Sequence, residues 1–136
     1  MTDGVFEQWV TVQAQHLDGL GHVNNVQYLK WVEQVAWAHS AQLGLGLAEY
    51  QQLDAAMVAR EHRLLYKAAC FAAQQLQLRT WLGERDALNL CRHYQFVRVD
   101  DQQVVFEGHT HWVCIRLSTG RPQRMPPAFR QAYGVV

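Results

Sequence analysis

The sequence predicts an α+β domain, a largely antiparallel sheet of about five strands with one long helix laid across it. Three observations predict this. Residues 5–15 alternate between apolar and polar, residues 24–43 switch to a helical period, and from Met57 onward the chain reads as strands parted by short turns. With 136 residues, 49% of them apolar and 11% aromatic, the chain has the material for one core. No repeat, linker or composition shift divides it, so residues 1–136 are read as a single domain.

Each element has its own signal. In VFEQWVTVQAQ, Phe6, Val10, Val12 and Ala14 share one face, opposite Glu7, Thr11, Gln13 and Gln15, as in a half-buried strand. Tyr28, Trp31, Val32, Val35, Ala36, His39 and Leu43 then follow the spacing of an amphipathic helix. Asn24 is a good N-cap, with Gln27 placed for a capping box and Val23 with Tyr28 for a hydrophobic staple. Gly44 and Gly46 stop the helix, and LGLGLA is read as its terminator rather than as a nucleotide loop. MVAREHRLLY, QLQLRTWL, LNLCRHYQFVRV and QVVFEGHTHWVCIRL are rich in β-branched and aromatic residues, which marks four further strands. The tail from about Ser118 to Val136 holds all three prolines and reads as irregular, with a short helical turn. One helix covers only one face of such a sheet, so a partner subunit is expected on the other, and a homodimer or homotetramer follows.

Composition excludes several function classes. Lys plus Arg and Asp plus Glu balance at 12 each, so no global field draws in nucleic acid or an anionic membrane surface. Cys70, Cys91 and Cys114 are odd in number and form no CxxC pair, which fits a reducing, cytoplasmic setting. The opening MTDGVFEQWV carries acids and lacks the apolar run of a signal peptide. His109 and His111 share a strand face, but no third ligand accompanies them, and no metal site is expected.

The informative stretch is HLDGLGHVNNVQYLKWVEQ, where Asp18 precedes a glycine turn that feeds directly into the helix start. A helix N-terminus gathers unpaired backbone N–H groups and the positive end of the helix dipole. It therefore polarises a carbonyl oxygen. A carboxylate nearby serves as nucleophile or as general base for water. Asp18 and the Asn24–Asn25 backbone thus supply both halves of an acyl-transfer site, although Asp in a Gly-rich loop is also an ordinary turn-former.

The pattern D-x-x-G-H-V-N-N-x-x-Y-L-x-W-x-E is carried by Asp18, Gly21, His22, Val23, Asn24, Asn25, Tyr28, Leu29, Trp31 and Glu33. It resembles the signature of hotdog-fold acyl thioesterases, both the 4-hydroxybenzoyl-CoA thioesterase group and the plant acyl-ACP enzymes. The order of strand, loop, helix and four strands agrees over roughly residues 5 to 117. The resemblance implies a curved sheet wrapped around the helix and an acyl group held at a dimer interface. It maps the catalytic acid onto Asp18, the oxyanion donor onto the backbone at or beside Asn25, and a plant-type histidine onto His22. The chain departs from the plant pattern at Leu20, where those enzymes use Asn, which puts the weight on Asp18. KAACFAAQQL also lacks the Pro and the acid that relatives often carry there.

The expected reaction is hydrolysis of an acyl-CoA, or an acyl-ACP, to free acid and thiol with no cofactor. Gly21, Asn24, Tyr28 and Trp31 are expected around the acyl group. Arg60 and Lys67, or Arg121 and Arg124 in a tail that has no Asp or Glu after Glu107, are candidates for the phosphates. Arg63, Arg116 and Arg130 belong to the same two basic sets. Glu33 is read as a solvated or interface carboxylate. Two other readings stand beside this one, a hotdog hydratase or dehydratase and a non-catalytic acyl-CoA binder. The first needs a catalytic His with an acid on the helix, and the only helical His is His39.

Overall fold

The computed structural model describes residues 4–136; Met1 to Asp3, the start of the segment compared with a signal peptide, lie outside the described residues. In chain order the elements are β1 (Phe6–Thr11), a 3-10 turn (Ala14–His16), α1 (Asn25–Gln42), α2 (Leu47–Leu53), β2 (Ala55–Tyr66), β3 (Gln75–Arg85), β4 (Asn89–Arg98), β5 (Gln103–Arg116) and α3 (Pro127–Tyr133). The strands form one antiparallel sheet in the order β1-β3-β4-β5-β2, with β1 and β2 at its edges.

The sheet needs its alternation to bury one face. Leu76, Leu78 and Thr80 on β3, Leu90, Arg92, Tyr94 and Phe96 on β4, and Phe106, Thr110, Trp112 and Cys114 on β5 are buried in alternation, the series on β5 passing over the partly exposed Gly108. Against them lie Tyr28, Trp31, Val32, Val35, Ala36, His39 and Ser40 of α1, the face that the helical spacing marked out. Irregularities interrupt three ladders, between Ala59 and Glu61, between Leu82 and Arg85, and between Phe96 and Val97. Such bulges increase local bend and twist. The opposite sheet face carries Trp81, Cys91, His93, His109, His111 and Val113, all partly exposed, and a groove of about 410 Å³ crosses it between Trp81, His93, His109 and Arg63.

Several elements differ locally from the sequence pattern. β1 stops at Thr11 because its partner β3 begins opposite, at Gln75; with no ladder left, Ala14–His16 turn instead of extending. Asn24 caps α1 by accepting from the Val26 N–H at 3.0 Å, but Gln27 does not close a capping box, since the Asn24 N–H donates to the His16 carbonyl at 2.9 Å. Gly44, at φ +92°, does end the first helix, yet Gly46 begins another: its N–H donates to Glu49 Oε1 at 2.8 Å and α2 follows. Seven residues are too few for a period to show. The helical turn of the tail is α3, which starts with Pro127 and buries Phe129 and Tyr133.

Candidate active site

The loop between the 3-10 turn and α1 is built around Asp18. The Gly21 N–H donates to the Asp18 carbonyl at 3.1 Å and the Asp18 N–H to the His22 carbonyl at 2.7 Å. The Asp18 carboxylate folds onto the same turn, Oδ1 accepting from the N–H groups of Leu20 at 2.8 Å and His22 at 3.2 Å. Asp with Gly three positions later is a favoured turn pair, and Gly21 supplies the positive φ of +78°. Asp18 is therefore a turn-former through one oxygen. No donor among the described residues engages Oδ2.

The loop is held in place on both sides. Leu17 bridges to Val23, and the Val23 N–H donates to the Cys70 carbonyl at 2.9 Å, so the chain between β2 and β3 carries the helix start. The N–H of Val26 goes to Asn24 Oδ1 and that of Gln27 to the Asn24 carbonyl at 2.9 Å. That of Asn25 has no acceptor among the described residues. A free donor is thus left at the positive end of an 18-residue helix.

Asp18 and Asn25 line one cleft of about 300 Å³, together with His22, Val23, Tyr28, Tyr66, Lys67, Ala68 and Ala69. The Tyr66 hydroxyl donates to the Asn25 carbonyl at 3.3 Å. The His22 ring stands edge-on to Phe71 with centroids 5.1 Å apart, and Lys67 Nζ lies 3.6 Å from Glu107. Burial, with the Cys70 thiol beside it, pushes the Tyr28 hydroxyl above its ordinary range, so it stays protonated.

The structure thus gathers Asp18, His22, Asn25, Tyr28 and Lys67 from the predicted set. Gly21 shapes the turn without lining the cleft, and the Asn24 side chain is spent on the cap. Trp31, expected to wall the acyl group, is only 2% exposed and packs edge-on to Tyr28 and His16, absent from the cleft lining. Arg60 is exposed at the β2 bulge. Arg121 and Arg124 lie beside the far end of β5, where the tail doubles back and the Gln123 N–H donates to the Cys114 carbonyl, while the near end of β5 touches the cleft through Lys67 and Val105; the strand from Val105 to Cys114 makes that separation roughly 30 Å. Within one chain these two arginines do not reach the Asp18 cleft. Tyr66 was missed in the sequence, because only the fold shows that the end of β2 returns to the start of α1.

Glu33 and His39 also have defined places. Glu33 Oε1 lies 3.7 Å from His62 Nε2, whose Nδ1 shares a hydrogen with Thr110 Oγ1 at 2.7 Å. His39 is in the core beside Arg92, far along α1 from the cleft. His111 Nε2 pairs with Asn89 Oδ1 at 2.8 Å, and no group of three His, Cys, Asp or Glu among the described residues is arranged to hold a metal.

Comparison with known proteins bears on this arrangement. A sequence comparison with curated proteins gives no match. In fold the chain is similar to a DHNA-CoA thioesterase from Staphylococcus aureus, at 19% identity and a TM-score of 0.87, covering 96% of this chain and 89% of that one. It is equally similar to a 1,4-dihydroxy-2-naphthoyl-CoA thioesterase from Synechocystis, at 20% identity and TM-score 0.87 over 96% of both chains. A hypothetical protein from S. aureus solved in complex with CoA gives a TM-score of 0.90 at 17% identity, covering 96% of this chain and 82% of that one. At such identities the likeness is one of fold. The family model of the thioesterase-like superfamily matches residues 12–133, from the end of β1 through α3, and so spans the Asp18 loop, the helix and the whole of β2 to β5. By that match the chain belongs to the thioesterase-like superfamily, on the hotdog fold.

Proposed function

We propose that this protein hydrolyses an acyl-CoA thioester to the free acid and CoA at the Asp18 cleft. One observation carries the reading: Asp18, with a carboxylate oxygen that has no partner among the described residues, and Asn25, whose helix N–H also has none among them, line the same 300 Å³ cleft. The thioester carbonyl oxygen accepts from the Asn25 N–H, where the helix dipole favours developing negative charge. Asp18 then acts in one of two ways. It removes a proton from a water that attacks the carbonyl carbon, or it attacks itself to give a mixed anhydride that water then opens. Either route consumes one water and breaks the carbon–sulfur bond. A thiol of ordinary pKa leaves readily as thiolate, so the chemistry requires neither a strong general acid nor a cofactor. His22 and Lys67 line the same cleft.

The acyl-CoA reading draws support from relatives described as CoA thioesterases and from the one solved with CoA. The cleft holds the reacting end of such a substrate and not the whole of it, and it opens beside β2, an edge strand of twelve residues. A second copy of the chain seated along that edge completes the site in this proposal, as a homodimer or a dimer of dimers. Three unpaired cysteines fit a reducing, cytoplasmic setting. No helix among the described residues is long and apolar enough to cross a membrane.

The test is thiol release from a panel of aromatic and aliphatic acyl-CoA esters, with acyl-ACP alongside, for wild type and Asp18→Asn. The expected outcome is turnover of at least one ester by wild type and a loss of about a thousandfold in kcat in the variant, at unchanged melting temperature. Equal activity in both proteins removes Asp18 from the mechanism. Binding of esters with no thiol released by either protein assigns the chain to the non-catalytic reading.

A further inference from the structure

A separate feature lies under the far half of α1. Arg92, on the inner face of β4, is 1% exposed. Its Nη1 donates to His39 Nδ1 at 2.6 Å and to Thr80 Oγ1 at 3.3 Å, and its Nη2 donates to Ser40 Oγ at 3.2 Å. All three acceptors are neutral. The ion pairs among the described residues join His62 to Glu33, Lys67 to Glu107, Arg79 to Glu7 and Arg98 to Asp101, and none includes Arg92. A guanidinium carries five N–H donors; Nη1 spends both of its hydrogens on His39 and Thr80 and Nη2 one on Ser40, which leaves a second Nη2 hydrogen without an acceptor among the described residues.

A buried cation in this state is unusual, because burial of charge is ordinarily met by an opposite charge nearby. His39 and Ser40 belong to the last turns of α1, and the helix dipole supplies about half a negative charge at that end, which offsets only part of the guanidinium. Tyrosinate does not supply the rest. Burial pushes the hydroxyls of Tyr50 and Tyr94 up, which keeps both protonated.

Beside Arg92 there is a cavity of about 20 Å³, walled by Arg92, Ser40, Tyr50, Met57, Trp112 and Tyr133 among others. That volume accommodates one water or one monatomic ion. The polar wall is the guanidinium, an indole N–H and three hydroxyls, which can turn an O–H towards the space. Tyr133 shares its hydroxyl with Ser40 Oγ at 3.0 Å and lies 3.5 Å from the Tyr50 hydroxyl. The buried Trp112 indole N–H, which lines the space, has no hydrogen-bond partner of good geometry among the described residues; the Tyr94 hydroxyl lies near it on the neighbouring strand. No carboxylate lines the space. A water satisfies N–H groups but leaves the charge; an anion does both.

We propose that this cavity is a binding site for one small monovalent anion, a halide such as chloride, held by the Arg92 guanidinium and the surrounding N–H and O–H donors. The site is distinct from the Asp18 cleft and does not depend on what that cleft does.

The test holds ionic strength constant while sodium gluconate, too large for the cavity, is replaced by sodium chloride or bromide, and follows the melting temperature. The expected result is a saturable rise of about 3–6 °C with either halide and, with sulfate, only the gradual non-saturating rise that a kosmotropic salt gives any protein. Arg92→Met should show the gradual salt effect but no saturable component with either halide. A wild-type melting temperature with no saturable halide component, or one whose response to every salt is matched by Arg92→Met, overturns the proposal. Should Arg92→Met fail to fold, bromide-soaked wild-type crystals decide the matter. An anomalous peak against Arg92 and the Tyr133 hydroxyl supports the site, and water density without anomalous signal there overturns it.

Discussion

The Tyr66 hydroxyl donates to the Asn25 carbonyl oxygen at 3.3 Å, tying the last residue of β2 to the first residue of α1. The residue so held is the one whose N–H is proposed to take the developing oxyanion. The Tyr66 ring also stands edge-on to Tyr28 and Phe106, with centroids 5.4 and 5.6 Å away. Tyr66→Phe keeps this ring packing and removes only the tie. The bond lies at an exposed position, so its loss should cost about 0.5 kcal/mol of stability. The kcat should nevertheless fall roughly three- to tenfold with KM changed less, because positioning in the transition state is what is lost. Steady-state thiol release beside a melting curve separates the two effects. An unchanged kcat means that the helix start holds its place without Tyr66.

Gly21 makes a second prediction at the other side of the cleft. Its φ of +78° is one that an L side chain adopts only with strain, and a Cβ there meets nothing within 4 Å. The cost of Gly21→Ala is thus backbone strain alone, about 1–2 kcal/mol. The turn relieves that strain by shifting, and the Asp18 carboxylate is fastened to the same turn through Leu20 and His22. Activity should therefore drop more in Gly21→Ala than the stability loss explains. Gly21→Asn, which tolerates positive φ better, should recover part of both. If Ala and Asn variants lose activity equally while differing in stability, the turn does not aim the carboxylate.

These two residues mark where the sequence was legible and where it was not. The helix start, the glycine turn and the alternating strands announce themselves through local chemistry, since caps, positive φ and face periodicity all act within a few residues. α1 and β2 to β5 accordingly lie close to where the pattern placed them. Tyr66 gave no such signal. Its tie to Asn25 spans 41 residues and exists only because β2 returns to the helix start. Trp31 erred in the opposite sense: helical spacing put it on the apolar face, but that face divides into cleft and core, and the side chain went to the core. α2 was hidden by its length, while α3 is the short helical turn expected of the tail; how far Arg121 and Arg124 stand from Asp18 is a matter of three-dimensional distance, which a basic composition does not encode.

His39 yields a pH prediction whose sign follows from its surroundings. Burial first, and then the Arg92 charge, pull its pKa from 6.5 down to about 4. Its Nδ1 accepts from Arg92, and Phe6 stacks on the ring at 5.1 Å, so the native state requires the neutral imidazole. The unfolded chain takes up a proton below pH 6.5 while the folded one refuses it until about pH 4. The contribution is therefore fully present above pH 6.5 and is lost as pH falls towards 4. It amounts to about 3 kcal/mol at most. His39→Gln keeps an acceptor for Arg92 and has nothing to titrate. Denaturant unfolding at pH 7 and pH 4.5 should show wild type losing about 2–3 kcal/mol more than His39→Gln over that interval. Parallel losses in the two proteins would show that His39 accepts its proton in the folded state at ordinary pH.

Two glycines on the sheet test whether backbone or side chain sets the tolerance of a close approach. A Cβ at Gly108, in the middle of β5, would sit 2.5 Å from the Arg63 carbonyl oxygen and 3.2 Å from a Leu64 methyl. Gly108 lies opposite Leu64 on β2, so relief requires that edge strand to move bodily. At Gly83 the clash is as short, 2.5 Å, but it falls on the His93 ring. That ring stacks on Trp81 at 5.8 Å and can swing away at the loss of the contact. Gly108→Ala should thus cost about 3 kcal/mol and Gly83→Ala about 1 kcal/mol, measured by urea unfolding. The two should also part in activity. Displacing β2 at Arg63 carries Tyr66 and Lys67 with it, so Gly108→Ala should lose turnover even below its melting transition, while Gly83→Ala should keep it. A Gly83→Ala protein that is the less stable or the less active of the pair would mean that the outer-face His93 stack constrains the sheet more tightly than the β2 backbone does.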